Sequence, residues 1–167
     1  LAHAEHRVLL LDADMRKPRA HEVLSAPIAP GLSNLLVGNA KASEAIQNTP
    51  TQGLWLVTAG TLPPNPAELL GSKRFKDFTA FLMQYFDWVI IDTPPGKTML
   101  SINALSAADE VIITLQAERP ALEGVNDLIK FTNDIVFRYN SDLKIRGILP
   151  TMHKKHTKHS TGVVQKA

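Results

Sequence analysis

Short aliphatic runs recur along the chain at residues 7–11, 54–58, 88–91, 111–115 and 145–149. None alternates apolar with polar residues, which is the pattern of strands buried on both faces of a parallel sheet. Stretches long enough for helices lie between them. Residues 66–84 place Pro66 in a first turn after Asn65, a candidate N-cap. Leu69, Leu70, Phe75, Phe78, Phe81, Leu82 and Phe86 follow at helical spacing. Residues 120–139 repeat the design with Leu122, Val125, Leu128, Ile129, Thr132, Ile135 and Val136, predicting an amphipathic crossover helix. Strands alternating with helices predict an α/β, doubly wound, mainly parallel sheet with helices on both faces and right-handed crossovers. The Pro- and Gly-rich pieces 27–31 and 60–66 read as loops inside a single domain spanning residues 1–167.

Composition narrows the class. The 167 residues are 44% hydrophobic, 20% charged and 6% aromatic, enough to bury an aliphatic core without staples or metal. With no cysteine, disulfides, zinc ribbons and thiol catalysis are excluded, and a reducing cytoplasm is the expected location. A net charge of +2 is too mild to imply nucleic acid, although the residues after Thr151 are conspicuously basic. No run near either end approaches the roughly 20 apolar residues of a membrane span, and no signal-peptide pattern opens the chain. The opening at Leu1, without Met and just before a strand, leads us to expect that the chain is a truncated piece of a longer protein.

In a doubly wound sheet, ligands sit outside the carboxyl ends of the strands. The run 7–11 is followed by Asp12, Ala13 and Asp14, with Arg16, Lys17 and Arg19 close behind; the run 88–91 by Asp92, Thr93, Pro94 and Pro95; and the run 145–149 by Pro150, Thr151 and Met152. Carboxylates gathered at neighbouring strand ends repel unless a cation sits among them, and Mg²⁺ carrying a phosphate ligand is the hard, oxygen-seeking candidate. The plainer alternative is that Asp12 and Asp14 cap the helix that follows.

With their flanks these motifs resemble a known family. Residues 7–18, Arg-Val-Leu-Leu-Leu-Asp-Ala-Asp-Met-Arg-Lys-Pro, look like the second Walker element of the bacterial tyrosine kinases of capsule and exopolysaccharide export. Gly31-Leu32-Ser33 with Leu36 and Gly38 is similar to the same group, as are residues 59–70. Val89-Ile90-Ile91-Asp92-Thr93-Pro94-Pro95 is the Walker B form shared by those kinases with ParA and MinD. Residues 103–105, 107–111, 121–124 and 146–152 look instead like ParA-type partition ATPases.

The resemblance implies a deviant-Walker P-loop ATPase using ATP and Mg²⁺. Asp12, Asp14 and Asp92 would be the catalytic and Mg²⁺-ordering carboxylates, acting largely through water. Arg16, Thr93, Pro94 and Pro95 would border the nucleotide, and Thr151 and Met152 would lie near the adenine. The leading expectation is a ParA/MinD-like ATPase whose Mg·ATP state switches a homodimer. The alternative is a protein-tyrosine kinase working with a membrane adaptor, and a third is a fragment that keeps the fold but binds nothing. Such a protein would be cytoplasmic, reaching the nucleoid or the inner membrane through a partner. Lys154, Lys155 and Lys158 could meet DNA phosphates nonspecifically, or form a solvated loop.

The departure from the family is large. No G-x-x-x-x-G-K-[ST] cradle occurs in the chain, so its Walker A strand and loop are expected upstream of Leu1 and the chain by itself is expected to be inactive. Gly96-Lys97-Thr98 is not that cradle, because Ile91 stands inside a strand where the first Gly should be. The lost strand belongs between the one ending at Asp92 and the run 111–115, which should then either pair directly or flank a gap. His153, His156 and His159 recur every third residue, but the lysines among them repel a metal ion. Tyr85 and Tyr139 do not form the tyrosine cluster of a kinase.

Overall fold

The aliphatic runs become strands in the computed structural model, which describes residue 2, residues 5–116 and residues 121–151. The chain divides into two compact units, Leu1–Ala107 and Ala108–Ala167. In the first, β1 (Val8–Asp12), β2 (Ile46–Asn48), β3 (Leu54–Val57) and β4 (Trp88–Asp92) form a four-stranded sheet of order β2-β3-β1-β4. β1 pairs in parallel with both β3 and β4, Val8 standing opposite Leu54 on one side and Trp88 on the other. An inner strand has no wet face, which is why an unbroken Val-Leu-Leu-Leu run suits it. β2 escaped the sequence reading because Ile-Gln-Asn is short and mostly polar; it joins β3 antiparallel at the sheet's edge.

Helices α1 (Ala20–Val23), α2 (Leu32–Val37) and α3 (Ala42–Ala45) occupy the span between β1 and β2. The predicted helix over 66–84 is in fact two helices, α4 (Pro66–Gly71) and α5 (Lys73–Leu82). Ser72 breaks it: its backbone is extended at φ −75° and ψ 152°, and its hydroxyl accepts from the Phe75 N–H, the geometry of an N-cap. A hydroxyl that satisfies an orphan donor competes with helix continuation, and helical spacing alone does not register that competition. Asn65 does precede Pro66 at the start of α4, but its side chain donates to Glu68 at 2.7 Å rather than capping the backbone. α6 (Met99–Leu105) follows β4. Leu9, Leu11, Met15, Leu32, Leu70, Phe75, Leu82 and Leu100 are fully buried together, an aliphatic core with phenylalanine from α5.

The second unit is a strand-helix-strand crossover: β5 (Glu110–Gln116), α7 (Ala121–Arg138) and β6 (Lys144–Thr151), with β5 and β6 parallel. Leu115 packs with Val125, Ile129 and Ile148, and Thr132 and Ile135 are also buried, as the helical spacing predicts. The mainly parallel α/β class is therefore as expected. Among the described residues of the first unit β4 pairs with β1, and among those of the second β5 pairs with β6.

A side-chain hub holds the loops that leave β3 and enter α2. Asn34 Oδ1 accepts from the N–H groups of Gly31 and Thr61, both at 3.1 Å, and the Ser33 hydroxyl donates to the Thr61 carbonyl at 2.6 Å. Gly60 sits here at φ +84°, where a Cβ would fall 2.5 Å from Ser33 Oγ and 2.6 Å from Asn34 Oδ1. At the other end of the sheet, the Arg7 backbone N–H and Nη2 both donate to Asp87 at 2.8 Å and tie the start of β1 to the start of β4.

These two features have measurable consequences. Gly60→Ala should destabilise the chain by more than about 2 kcal/mol in denaturant melts, combining a left-handed backbone penalty with overpacking; an unchanged midpoint would show that the hub yields freely. The hydrogen bonds from Arg7 lower the Asp87 carboxyl from 3.8 to about 2. The folded state thus holds this proton less tightly than the unfolded chain, so the stabilisation is present above about pH 4 and is lost as pH falls toward 2. Asp87→Asn should lower Tm at pH 7, with the difference from wild type fading over that acid window.

Candidate functional site at the strand ends

Parallel pairing brings the expected carboxylates together. In the β1–β4 register Asp12 stands opposite Asp92, so two neighbouring strands end in acids at the same level. The carbonyl of Asp92 accepts from the Ala13 N–H at 2.8 Å, which joins the chain leaving β1 to the end of β4. Asp12 is only 1% exposed. Its Oδ1 accepts from the Asp14 N–H at 3.1 Å and its Oδ2 from the Ala20 N–H at 3.3 Å. Asp14 is half-buried, and its Oδ1 accepts from the N–H groups of Arg16 at 3.1 Å and Lys17 at 3.0 Å.

Asp12 therefore shapes the loop from β1 to α1, much as the capping alternative held, but it does so while buried beside other acids. Burial pushes its carboxyl above the ordinary carboxylate range; the N–H groups of Ala20 and Asp14 oppose the shift, and the charges of Asp92 and Asp14 reinforce it. The Asp92 carboxyl is also raised, by desolvation first and then by Asp14, against a hydrogen bond from the Thr93 backbone. Among the described residues no group of three or more His, Cys, Asp or Glu is arranged to hold a metal ion directly.

The other expected residues are distributed as follows. Arg16 is exposed, and among the described residues its guanidinium has no hydrogen bond or ion pair. Thr93 and buried Pro94 continue from Asp92, with Pro95 exposed beyond them. Thr151 ends β6 in the second unit and donates from its hydroxyl to the Leu115 carbonyl at 3.2 Å. Met152, the lysines 154, 155 and 158, and the histidines 153, 156 and 159 lie outside the described residues. Gly96 turns at φ +92° and Thr98 N-caps α6, while Ile91 lies within β4, so this segment is a strand-to-helix loop and not a phosphate cradle.

Sequence reading missed Ser101, a buried hydroxyl of α6 that reaches the carbonyls of Pro94 and Gly96. The available signal was Thr98 three residues before Ser101 at the head of an apolar run, the spacing at which a helix start is capped.

A family model described as an AAA domain matches residues 1–145. The putative tyrosine-protein kinase CapB of Staphylococcus aureus is 34% identical over 119 residues, covering 71% of this chain. The chain spans 52% of the length of that relative. Among solved structures, the chimerical protein CapA2B2 superposes with a TM-score of 0.76 at 27% identity, covering 90% of this chain and 66% of that one. Cobyrinic acid a,c-diamide synthase from Mycobacterium smegmatis, with bound ATP analog and magnesium, gives a TM-score of 0.83 at 31% identity, covering 98% of this chain and 70% of that one. With its model matching most of the chain, the protein belongs to the AAA domain family.

Proposed function

We propose that the chain supplies the carboxylate side of a Mg·ATP site in a ParA/MinD-like ATPase whose nucleotide state switches a homodimer. The observation that carries this reading is the opposition of Asp12 and Asp92 at the ends of β1 and β4, with Asp14 close enough to act on both. Carboxylates gathered at one end of a parallel strand pair form a site suited to a hard cation, and an all-oxygen donor set fits Mg²⁺ held largely through its waters. Bound Mg²⁺ supplies charge neutralisation at the transferring phosphoryl group.

The chain's own residues divide the remaining work. Asp12, already accepting two N–H groups, orders water from a fixed position and keeps Asp14 in place. Asp92 at the end of β4 and Asp14, two residues past the end of β1, would hold the hydrated cation, with Arg16, Thr93, Pro94 and Pro95 the residues that would border the triphosphate. No G-x-x-x-x-G-K-[ST] phosphate cradle occurs in these 167 residues.

A second reading, a protein-tyrosine kinase acting with a membrane adaptor, is favoured by the likeness to the putative kinase CapB. The two readings share the carboxylates and differ in the nucleophile, water for the ATPase and a tyrosine hydroxyl for the kinase. No helix among the described residues is long and apolar enough to cross a membrane. The named relatives offer no support for DNA contact by Lys154, Lys155 and Lys158. A third reading, a fragment that folds without binding, shares its first test with the main proposal.

Titrating the 167-residue chain with Mg·ATP in a calorimeter should show no binding tighter than about 0.1 mM, roughly −5.5 kcal/mol, because the triphosphate has no backbone cradle. A low-micromolar constant would mean that a loop within this chain does the cradling. In the full-length protein, Asp14→Ala or Asp92→Ala should cut turnover by orders of magnitude with the melting curve preserved. Turnover within about threefold of wild type, under about 1 kcal/mol of transition-state stabilisation, would remove that carboxylate from the site.

A further inference from the structure

The loop from β4 to α6, residues 93–98, has little of its own with which to keep a shape. Pro94 and Pro95 have no N–H to donate. Gly96 turns at φ +92° in open space, where a Cβ would meet nothing within 4 Å, so packing does not brace the turn. One backbone bond, from Thr98 N–H to the Gly96 carbonyl at 3.1 Å, closes the loop's end.

The brace comes from α6. Ser101 is 6% exposed, and its Oγ lies 2.9 Å from the Gly96 carbonyl, 3.2 Å from the Pro94 carbonyl and 3.0 Å from Thr98 Oγ1. Its backbone N–H donates to Thr98 Oγ1 at 3.2 Å. That last bond is all that capping α6 requires. The hydroxyl's reach back to carbonyls on both sides of Pro95 is additional, and with one proton it donates to either carbonyl while accepting from Thr98. Asp92, meanwhile, is fixed through its own carbonyl by Ala13 at 2.8 Å. Asp92 is thus held on one side by the loop after β1, and the chain leaving it is held by Ser101.

We infer that Ser101 is a positioning residue: its hydroxyl tethers the loop 93–98 and so sets how Asp92 meets the nucleotide. The tether stands on the geometry alone, and its consequence for the nucleotide rests on the carboxylate reading above.

Two measurements separate these layers. In the 167-residue chain, Ser101→Ala should speed hydrogen exchange of the Thr98 amide, which donates to the Gly96 carbonyl, by about tenfold or more, as local opening there becomes easier, with β1 and α5 unaffected. Ser101→Thr, which keeps the hydroxyl, should restore wild-type protection. Unchanged exchange in Ser101→Ala overturns the tether. In the full-length protein, Ser101→Ala should weaken Mg·ATP affinity about tenfold, the scale of losing an outer partner of a metal ligand. In an Asp92→Asn background the same change should cost less than about twofold, because the two changes act through one group. Equal losses in both backgrounds overturn the positioning role and leave the carboxylate reading intact. An Asp92→Asn protein that binds Mg·ATP like wild type overturns the carboxylate reading and, with it, the role in nucleotide binding, whereas exchange alone still judges the tether.

Discussion

The parallel pairing of β1 with β4 is the constraint on which the rest of the first unit depends. Its five-residue register brings Asp12 level with Asp92, and the same ladder carries Leu9 and Leu11 into the core at 0% exposure. Burying a carboxylate at the end of such a strand is costly unless its oxygens are satisfied. Asp12 meets that cost with the N–H groups of Asp14 and Ala20, so the residue that would serve the site also forms the turn that presents Asp14. Removing the pairing would separate the acids; removing the acids would leave a strand pair with no reason to end where it does.

The loops around that pair are held by side chains rather than by their own backbones. Asp14 gathers the N–H groups of Arg16 and Lys17, Asn34 those of Gly31 and Thr61, and Ser101 reaches the carbonyls of Pro94 and Gly96. Gln47 on β2 extends the same device by donating to the Pro27 carbonyl at 3.1 Å. Short polar side chains can bond nearby backbone in this way without burying much surface, which suits segments too rich in Pro and Gly to form ladders. The acids gain no comparable relief from one another, and their mutual repulsion is the kind of local cost that structures keep where a ligand is to be bound.

Strand composition and strand position disagree at two places. Ile90 in β4 is 41% exposed and Ile112 in β5 is 56% exposed, although both sit in runs that read as inner strands. Each of these strands has one partner among the described residues. A run that is apolar on both faces but paired on one side leaves both backbone groups and side chains in water, which soluble sheets ordinarily avoid.

What the sequence by itself determined is the set of local, periodic and compositional features. The aliphatic runs became β1, β3, β4, β5 and β6, helical spacing located α7, and acids after apolar runs marked the strand ends where Asp12, Asp14 and Asp92 lie. These were legible because side-chain periodicity is a property of consecutive residues. Tertiary structure decided the rest. Strand order β2-β3-β1-β4 made Asp12 and Asp92 neighbours although they stand 80 positions apart and the pattern between them says nothing about it. Ser72 divided one periodic stretch into α4 and α5 because its hydroxyl found the Phe75 N–H, and Ser101 acquired its tether because the chain turned at Gly96. Such bonds join groups whose proximity exists only after the chain has folded, and no single-residue propensity encodes them.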